Sequence, residues 1–145
     1  KREAGKVPSR SVKLHSEIYR QHPDIKTVIV AHPPHIMAFA VTDQEFDARL
    51  IPESYLQLRT VQKYPFGSTF MEAEELAAKL SMDNPVAIIE NDCVITTGTS
   101  LINAFDKLEV MEYSAKSVIM THNVGQIVRI TDEEVDEIEV AFGLK

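Results

Sequence analysis

The 145-residue chain has few of the residues that several classes of site require. Cys93 is the only cysteine, which excludes an internal disulfide and a four-thiolate zinc site. The sequence contains no glycine-rich phosphate loop, no GxSxG nucleophile elbow and no HExxH pair. A single cysteine suits a reducing compartment, so we expect a cytoplasmic protein.

Long apolar runs and excess positive charge are also lacking. The longest apolar stretches, residues 28–31 and 36–41, are too short to span a bilayer, and no basic-then-apolar leader stands at the N-terminus. The net charge is −7, because 22 acidic residues outnumber 15 lysines and arginines. Nucleic-acid binding needs clustered basic side chains that neutralise phosphates, so we expect neither a nucleic-acid nor a membrane partner.

The apolar pattern that is present predicts one α/β domain over residues 1–145. Strand patterns, rich in β-branched residues, occupy residues 25–31, 60–64, 86–90, 93–96 and 126–130. Helical patterns occupy residues 9–21, 35–41, 53–58, 69–80, 98–120 and 131–143. Strands that alternate with helices predict a layered α/β architecture.

Two local patterns refine the helices. Thr69 with Glu72, and Thr131 with Glu134, have the spacing of a capping box, which marks a helix start. The longest helix, residues 98–120, has a predicted core stripe at helical spacing. That stripe comprises Leu101, Ala104, Phe105, Leu108, Met111, Ala115, Val118 and Ile119.

Three short segments carry side chains that could do chemistry. His32 directly follows the first predicted strand, where ligands bind in open α/β sheets, and His35 is three residues further on. A neutral imidazole there could ligate zinc or move protons; the alternative is a histidine hydrogen-bonded at a strand end. Asp92 could be a metal ligand or general base, or part of an Asn-Asp turn. Tyr55 could be a general acid or simple amphipathic packing.

Several motifs, in order and at matching intervals, resemble the class II aldolase/adducin family. Residues 8–19, PSRSVKLHSEIY, are similar to its PSSE…H…IY helix, and residues 28–34, VIVAHPP, to its strand ending in HTHPP. Residues 90–94, ENDCV, followed by Gly98, are similar to its NHG-V…G…A segment. Among the members of the family, the chain most resembles the L-fuculose-phosphate aldolases, and residues 130–143 are similar to the tail of some of them.

The resemblance implies a three-layer α/β/α sandwich that lacks its N-terminal part, so that the chain forms roughly the C-terminal two thirds of the family's domain. The polar lead-in at residues 1–7 is then expected not to be a true start, and a sheet edge or face should be uncovered. The resemblance also implies a zinc or related divalent ion on three histidines beside a glutamate, a sugar-phosphate substrate, and a homo-oligomer, usually a tetramer.

Carried over residue by residue, this implied metal site is altered. Ser11 stands where the family has its glutamate, and Val30 where it has the first histidine of its HxH pair. His32 keeps the second histidine, and Asp92 stands in place of the third. A carboxylate in place of an imidazole shifts the preference toward harder ions such as magnesium or manganese.

We therefore predict a divalent-metal site built from His32, Asp92 and His35, with Glu53 as an alternative to His35. Tyr55 and Asp92 are the predicted catalytic residues, since Tyr55 lies near the place of a product-protonating tyrosine in the family. The predicted function is a metal-dependent aldehyde-lyase acting on a sugar phosphate. The alternative is a catalytically inactive, adducin-like module for assembly or binding.

Overall fold

Four short strands form one mixed sheet within the described part of the chain, residues 5–145 without the side chain of His122. The strands are β1 (Thr27–Ala31), β2 (Gln62–Tyr64), β3 (Val86–Ile89) and β4 (Val94–Gly98). Their order is β1-β4-β3-β2 in this computed structural model. The first four residues of the predicted lead-in lie outside the described residues.

The carboxyl ends of β1, β2 and β3 lie at the same edge of the sheet. β1 and β3 both run antiparallel to β4, which lies between them, and β2 runs parallel to β3. The turn that joins β3 to β4 lies at this edge too, and Asn91 enters it with a φ of 52°. Because Ala31 pairs with Val94, the residues after β1 come beside that turn.

The helices of the described chain are α1 (Val12–Gln21), α2 (Pro34–Ala40), α3 (Pro52–Leu58), α4 (Ser68–Met71), α5 (Ala73–Lys79), α6 (Leu101–Met120) and α7 (Asp132–Ala141). Helices α1, α2, α3, α5 and α6 contribute to the buried clusters on the two faces of the sheet. None of the helices in the described residues is long and apolar enough to cross a membrane.

Two buried clusters show that the sheet is the middle of three layers. Leu14 of α1 and Leu76 of α5 belong to the cluster on one face, together with Ile89. The cluster on the other face joins α2, α3 and α6 to Ile88. Neighbouring residues Ile88 and Ile89 serve opposite faces because side chains alternate along a strand. The predicted α/β/α sandwich is therefore confirmed.

Burial along α6 corrects part of its predicted core stripe. Leu101 and Phe105 expose 64 % and 50 % of their surface. The buried residues of α6 are Ala104, Lys107, Val110, Met111, Ser114 and Ala115. The buried face of α6 includes Lys107, Val110 and Ser114, which the predicted stripe lacks. Ser114 contacts α3, with its hydroxyl oxygen 2.5 Å from that of Ser54. Large apolar side chains at the start of α6 face outward.

Two local predictions are wrong and one is confirmed. Residues 126–130 form no strand; the Ile130 N–H donates a single hydrogen bond to the Arg49 carbonyl, at 3.0 Å. The Thr69–Glu72 capping box does not form, since α5 begins after Glu72 without a side-chain cap. The Thr131–Glu134 box is present at the start of α7.

Candidate active site

His32 and Asp92 line one cavity of about 290 Å³ at the edge of the sheet where β1 ends. All four positions of the implied metal site line this cavity, namely Ser11, Val30, His32 and Asp92. Three distant stretches of chain thus converge: the start of α1, the end of β1 and the β3–β4 turn. The pairing of Ala31 with Val94 places the end of β1 beside the β3–β4 turn, so residues that are distant in sequence meet in this cavity.

Local structure explains how each side chain reaches the cavity. Val30 and His32 are two residues apart at the end of a strand, so both project to the same side. Ser11 is the residue that precedes the first turn of α1. Asp92 is presented by the tight β3–β4 turn, in which the Ile89 N–H donates to the Cys93 carbonyl at 2.8 Å.

The carboxylate of Asp92 is fixed by two neighbours. The hydroxyl of Thr69 donates a hydrogen bond to its Oδ2 atom, at 3.1 Å. The thiol of Cys93 lies beside it: burial, and then the charge of Asp92 and a hydrogen bond to it, raise the pKa of Cys93 to about 12. At neutral pH Cys93 is therefore a protonated thiol and not an activated nucleophile.

The donor atoms of this cavity do not fit a three-histidine metal site. Val30 offers no ligand atom, and the hydroxyl of Ser11 is a poor one. His32 and Asp92 supply two donors, whereas a catalytic zinc usually has three protein ligands. Among the described residues, no group of three or more His, Cys, Asp or Glu side chains could hold a metal ion.

His35 is held by Glu112 on α6. Its Nδ1 atom lies 2.6 Å from Glu112 Oε1, and the backbone N–H groups of His35 and Ile36 donate to the same carboxylate at 3.1 and 2.9 Å. Glu112 therefore caps the first turn of α2. Glu53 accepts a hydrogen bond from the Tyr113 hydroxyl at 2.8 Å. Neither His35 nor Glu53 lines the cavity that contains His32.

Glu112→Gln is expected to lower the free energy of unfolding by about 1–3 kcal/mol, because a neutral amide accepts these hydrogen bonds more weakly. Burial opposes ionisation of Glu112, but its hydrogen bonds from Ile36 and His35 outweigh it and hold the pKa of Glu112 below its usual value. A depressed carboxyl pKa stabilises the fold above the unfolded-state pKa, and this contribution is lost as pH falls through the folded-state pKa.

Urea denaturation at about pH 7 and about pH 3 measures this effect. The stability gap between wild type and Glu112→Gln should narrow at the lower pH. Glu109→Gln, an exposed change on the same helix, is the control and should match wild type at both pH values. A gap that stays constant with pH would mean that the Glu112 charge does not stabilise the fold.

Tyr55 lies apart from the His32 cavity, on the side of the sheet packed by α2, α3 and α6. Its hydroxyl donates to Glu139 Oε1 of α7 at 2.6 Å. Burial and this contact with the Glu139 carboxylate raise the pKa of Tyr55. Tyr55 lines a second cavity that shares no lining residue with the first. Within one copy of the chain, Tyr55 is therefore not beside Asp92.

Two residues that contribute to this cavity, Arg10 and Thr69, are not predicted as site residues from the sequence. Arg10 precedes α1 and is the only lysine or arginine among the residues lining the cavity. Its signal is PSRS at a place where the family has PSSE, so a base appears one residue before an acid is lost. The spacing of Thr69 and Glu72 indicates a helix cap, and no local pattern connects Thr69 to Asp92, which is 23 residues away.

Three layers around a mixed sheet, with a cavity lined by His32 and Asp92 at the edge where three strands end, define a layered α/β domain with a candidate active site. The model of the class II aldolase and adducin N-terminal domain family matches residues 1–119. The chain therefore belongs to the class II aldolase/adducin family, as its ordered motifs predicted.

Two curated relatives and one solved structure illustrate the similarity. An L-fuculose phosphate aldolase of Methanococcus vannielii is 31% identical over 120 residues, which are 78% of this chain and 64% of the relative. A 3-oxo-tetronate 4-phosphate decarboxylase of Haemophilus influenzae is 27% identical over 143 residues, 93% of this chain and 66% of the relative. YgbL of Klebsiella pneumoniae shares the fold, with a TM-score of 0.79 at 22% identity over 94% of this chain and 68% of that one. The chain spans less than two thirds of the length of the Methanococcus relative.

Proposed function

We propose that the chain cleaves a carbon–carbon bond in the His32–Asp92 cavity, as an aldehyde-lyase acting on a sugar phosphate. The observation that carries this proposal is the convergence of a carboxylate, an imidazole and the guanidinium of Arg10 on one cavity. The substrate class is supported by two relatives whose names specify phosphorylated carbohydrates, L-fuculose phosphate and 3-oxo-tetronate 4-phosphate. Their names, aldolase and decarboxylase, both denote cleavage of a carbon–carbon bond.

In a retro-aldol cleavage, a base removes the proton of the substrate's hydroxyl group and the adjacent carbon–carbon bond breaks. An aldehyde leaves, and the electron pair of the broken bond is delocalised onto the carbonyl oxygen as an enediolate, which then takes a proton on carbon. Asp92, oriented by Thr69, is the base, and His32 carries the proton to the enediolate. Arg10 supplies positive charge opposite the developing oxyanion.

The divalent ion of the family would supply Lewis-acid chemistry, but the two donors His32 and Asp92 do not fit it. The predicted set of His32, Asp92 and His35 would require His35 to leave Glu112, so metal dependence stays a prediction. The roles of Asp92, His32 and Arg10 above need no ligand atom from Val30 or Ser11.

Turnover of L-fuculose 1-phosphate and of 3-oxo-tetronate 4-phosphate tests the proposal. The release of aldehyde and the release of carbon dioxide are measured separately. Each assay is run once with a chelator and once with added divalent ions. Asp92→Asn and His32→Ala should each lower kcat/KM about 100-fold, the usual scale of acid–base catalysis. Asp83→Asn, in an exposed loop, is the control and should retain full turnover. Absence of turnover of both substrates under both conditions would reject the proposal.

The alternative function is a non-catalytic module for assembly or binding, as in adducin. Val30 and Ser11 favour it, because an imidazole and a carboxylate of the implied site are replaced by groups that cannot serve as good metal ligands. Turnover that disappears in Asp92→Asn would exclude it. The expected homo-oligomer is compatible with either function, and it is supported by exposed apolar side chains at the start of α6, Leu101, Ile102 and Phe105.

A further inference from the structure

Three arginines line the second cavity, which has a volume of about 530 Å³. They are Arg49, Arg59 and Arg129, and the acidic residues that line it with them are Glu45 and Asp47. Among the lining residues alone, three positive side chains accompany two negative ones, and the carboxylates of Asp132 and Glu139 lie close to Arg49 and Arg59. A concave concentration of guanidinium groups on an acidic protein is typical of an anion-binding site.

Asp47 orients two of these guanidiniums: it engages Arg49 through both of its oxygens but Arg129 through Nε alone. Arg129 Nε lies 2.8 Å from Asp47 Oδ2, and Arg49 Nε lies 3.4 Å from Asp47 Oδ1. Arg49 also reaches Asp132 Oδ1 at 2.8 Å. Each guanidinium carries five N–H donors, so the terminal nitrogens of Arg129 stay available after its bond to Asp47.

Arg59 has the most to offer a ligand. Arg59 is a half-buried residue whose guanidinium makes no hydrogen bond or close ion pair among the described residues, although its charge helps to lower the pKa of the nearby Glu139. Its backbone has φ 56° and ψ −117°, the angles of the first central position of a type II′ turn. Glycine dominates that position, and an arginine there is strained. Strain at a residue with unpaired donors points to a function for its side chain.

We propose that this cavity binds a phosphate-type oxyanion, such as a phosphomonoester, between Arg59 and Arg129. The several oxygens of a phosphate group accept hydrogen bonds from two forked guanidiniums at once, which a monocarboxylate cannot do equally well. The site is separate from the His32 cavity, with which it shares no lining residue. The proposal therefore does not depend on the proposed lyase activity.

Isothermal titration of the chain with inorganic phosphate, at constant ionic strength, tests the site. Wild type should bind saturably, one phosphate per chain. Arg59→Gly should weaken binding about tenfold or more, because it removes charge-assisted hydrogen bonds. It should also keep or raise the Tm, since glycine suits the positive φ of this position. An arginine that only stabilised the fold would show the opposite result, with a lower Tm and no change in phosphate binding.

Two further variants and one competitor complete the experiment. Arg129→Gln should also weaken phosphate binding, whereas Arg20→Gln, on the exposed face of α1, should not. Acetate should compete about tenfold less well than phosphate, because its two oxygens engage a single guanidinium. The proposal is overturned if wild type shows no saturable binding up to about 50 mM phosphate. Unchanged affinity in Arg59→Gly, or equal competition by acetate, would overturn it as well.

Discussion

Val30→His is expected to strengthen zinc binding about 1000-fold, to one tightly bound ion per chain. The new imidazole would stand two residues from His32 on the same side of β1, in the cavity that Asp92 also lines. Two imidazoles and a carboxylate are an established ligand set for catalytic zinc, with a further position left open. The wild-type chain has two of these donors, and a two-donor site binds far more weakly.

Zinc titration against a competing chelator, with metal analysis of the dialysed protein, measures this change. Val30→Leu controls for the altered packing at the same position and should bind no better than wild type. Val30→His combined with Asp92→Asn removes the carboxylate again and should lose most of the gain. If Val30→His bound no more zinc than wild type, the three positions would not converge as the structure places them.

Gly98→Ala is expected to lower the free energy of unfolding by about 3 kcal/mol and the Tm by roughly 10 °C. A Cβ atom on Gly98 would lie 2.6 Å from the backbone nitrogen of Ala104 and 2.7 Å from Asn103 Oδ1. The first of these atoms belongs to the first turns of α6, so the clash is relieved only if the whole helix shifts. Gly98 is also paired with Thr27 of the neighbouring strand β1, and this pairing limits how far β4 can move away from α6.

Gly125→Ala is the matched control, because a Cβ there meets no atom within 4 Å and its φ lies outside the left-handed region. It should change stability by less than about 0.5 kcal/mol. Thermal and urea denaturation of the two variants separate the effect of lost space from the general effect of replacing glycine. Equal stability of the two variants would show that α6 can move away from β4 without cost.

Periodicity predicted most of the elements but not how they face each other. The sequence predicts β1, β3 and the capping box at Thr131 correctly, because each depends on residues that are close in the chain. The phase of α6 is not predicted correctly, because Ser114 meets Ser54 across a close helix contact that only the packing defines. Residues 126–130 have a strand pattern, yet no neighbouring strand is present in the described chain to pair with them.

The candidate site divides in the same way. Family membership, and the poor fit of Val30 and Ser11 to a metal site, followed from the sequence because donor chemistry depends on residue identity alone. The positions of Tyr55 and His35 could not be predicted from the sequence. Tyr55 is hydrogen-bonded to Glu139 and His35 to Glu112, and both glutamates are distant in sequence. No short-range pattern encodes a contact that two separate helices create when they pack.

The sequence by itself thus determined the family, the three-layer architecture and the identity of His32 and Asp92 as the remaining polar groups of the implied site. Tertiary structure alone decided that Arg10 and Thr69 join them, and that three arginines from separate segments line one second cavity. The physical reason is that residue type fixes what a side chain can do. Strand register and helix packing fix which side chains meet.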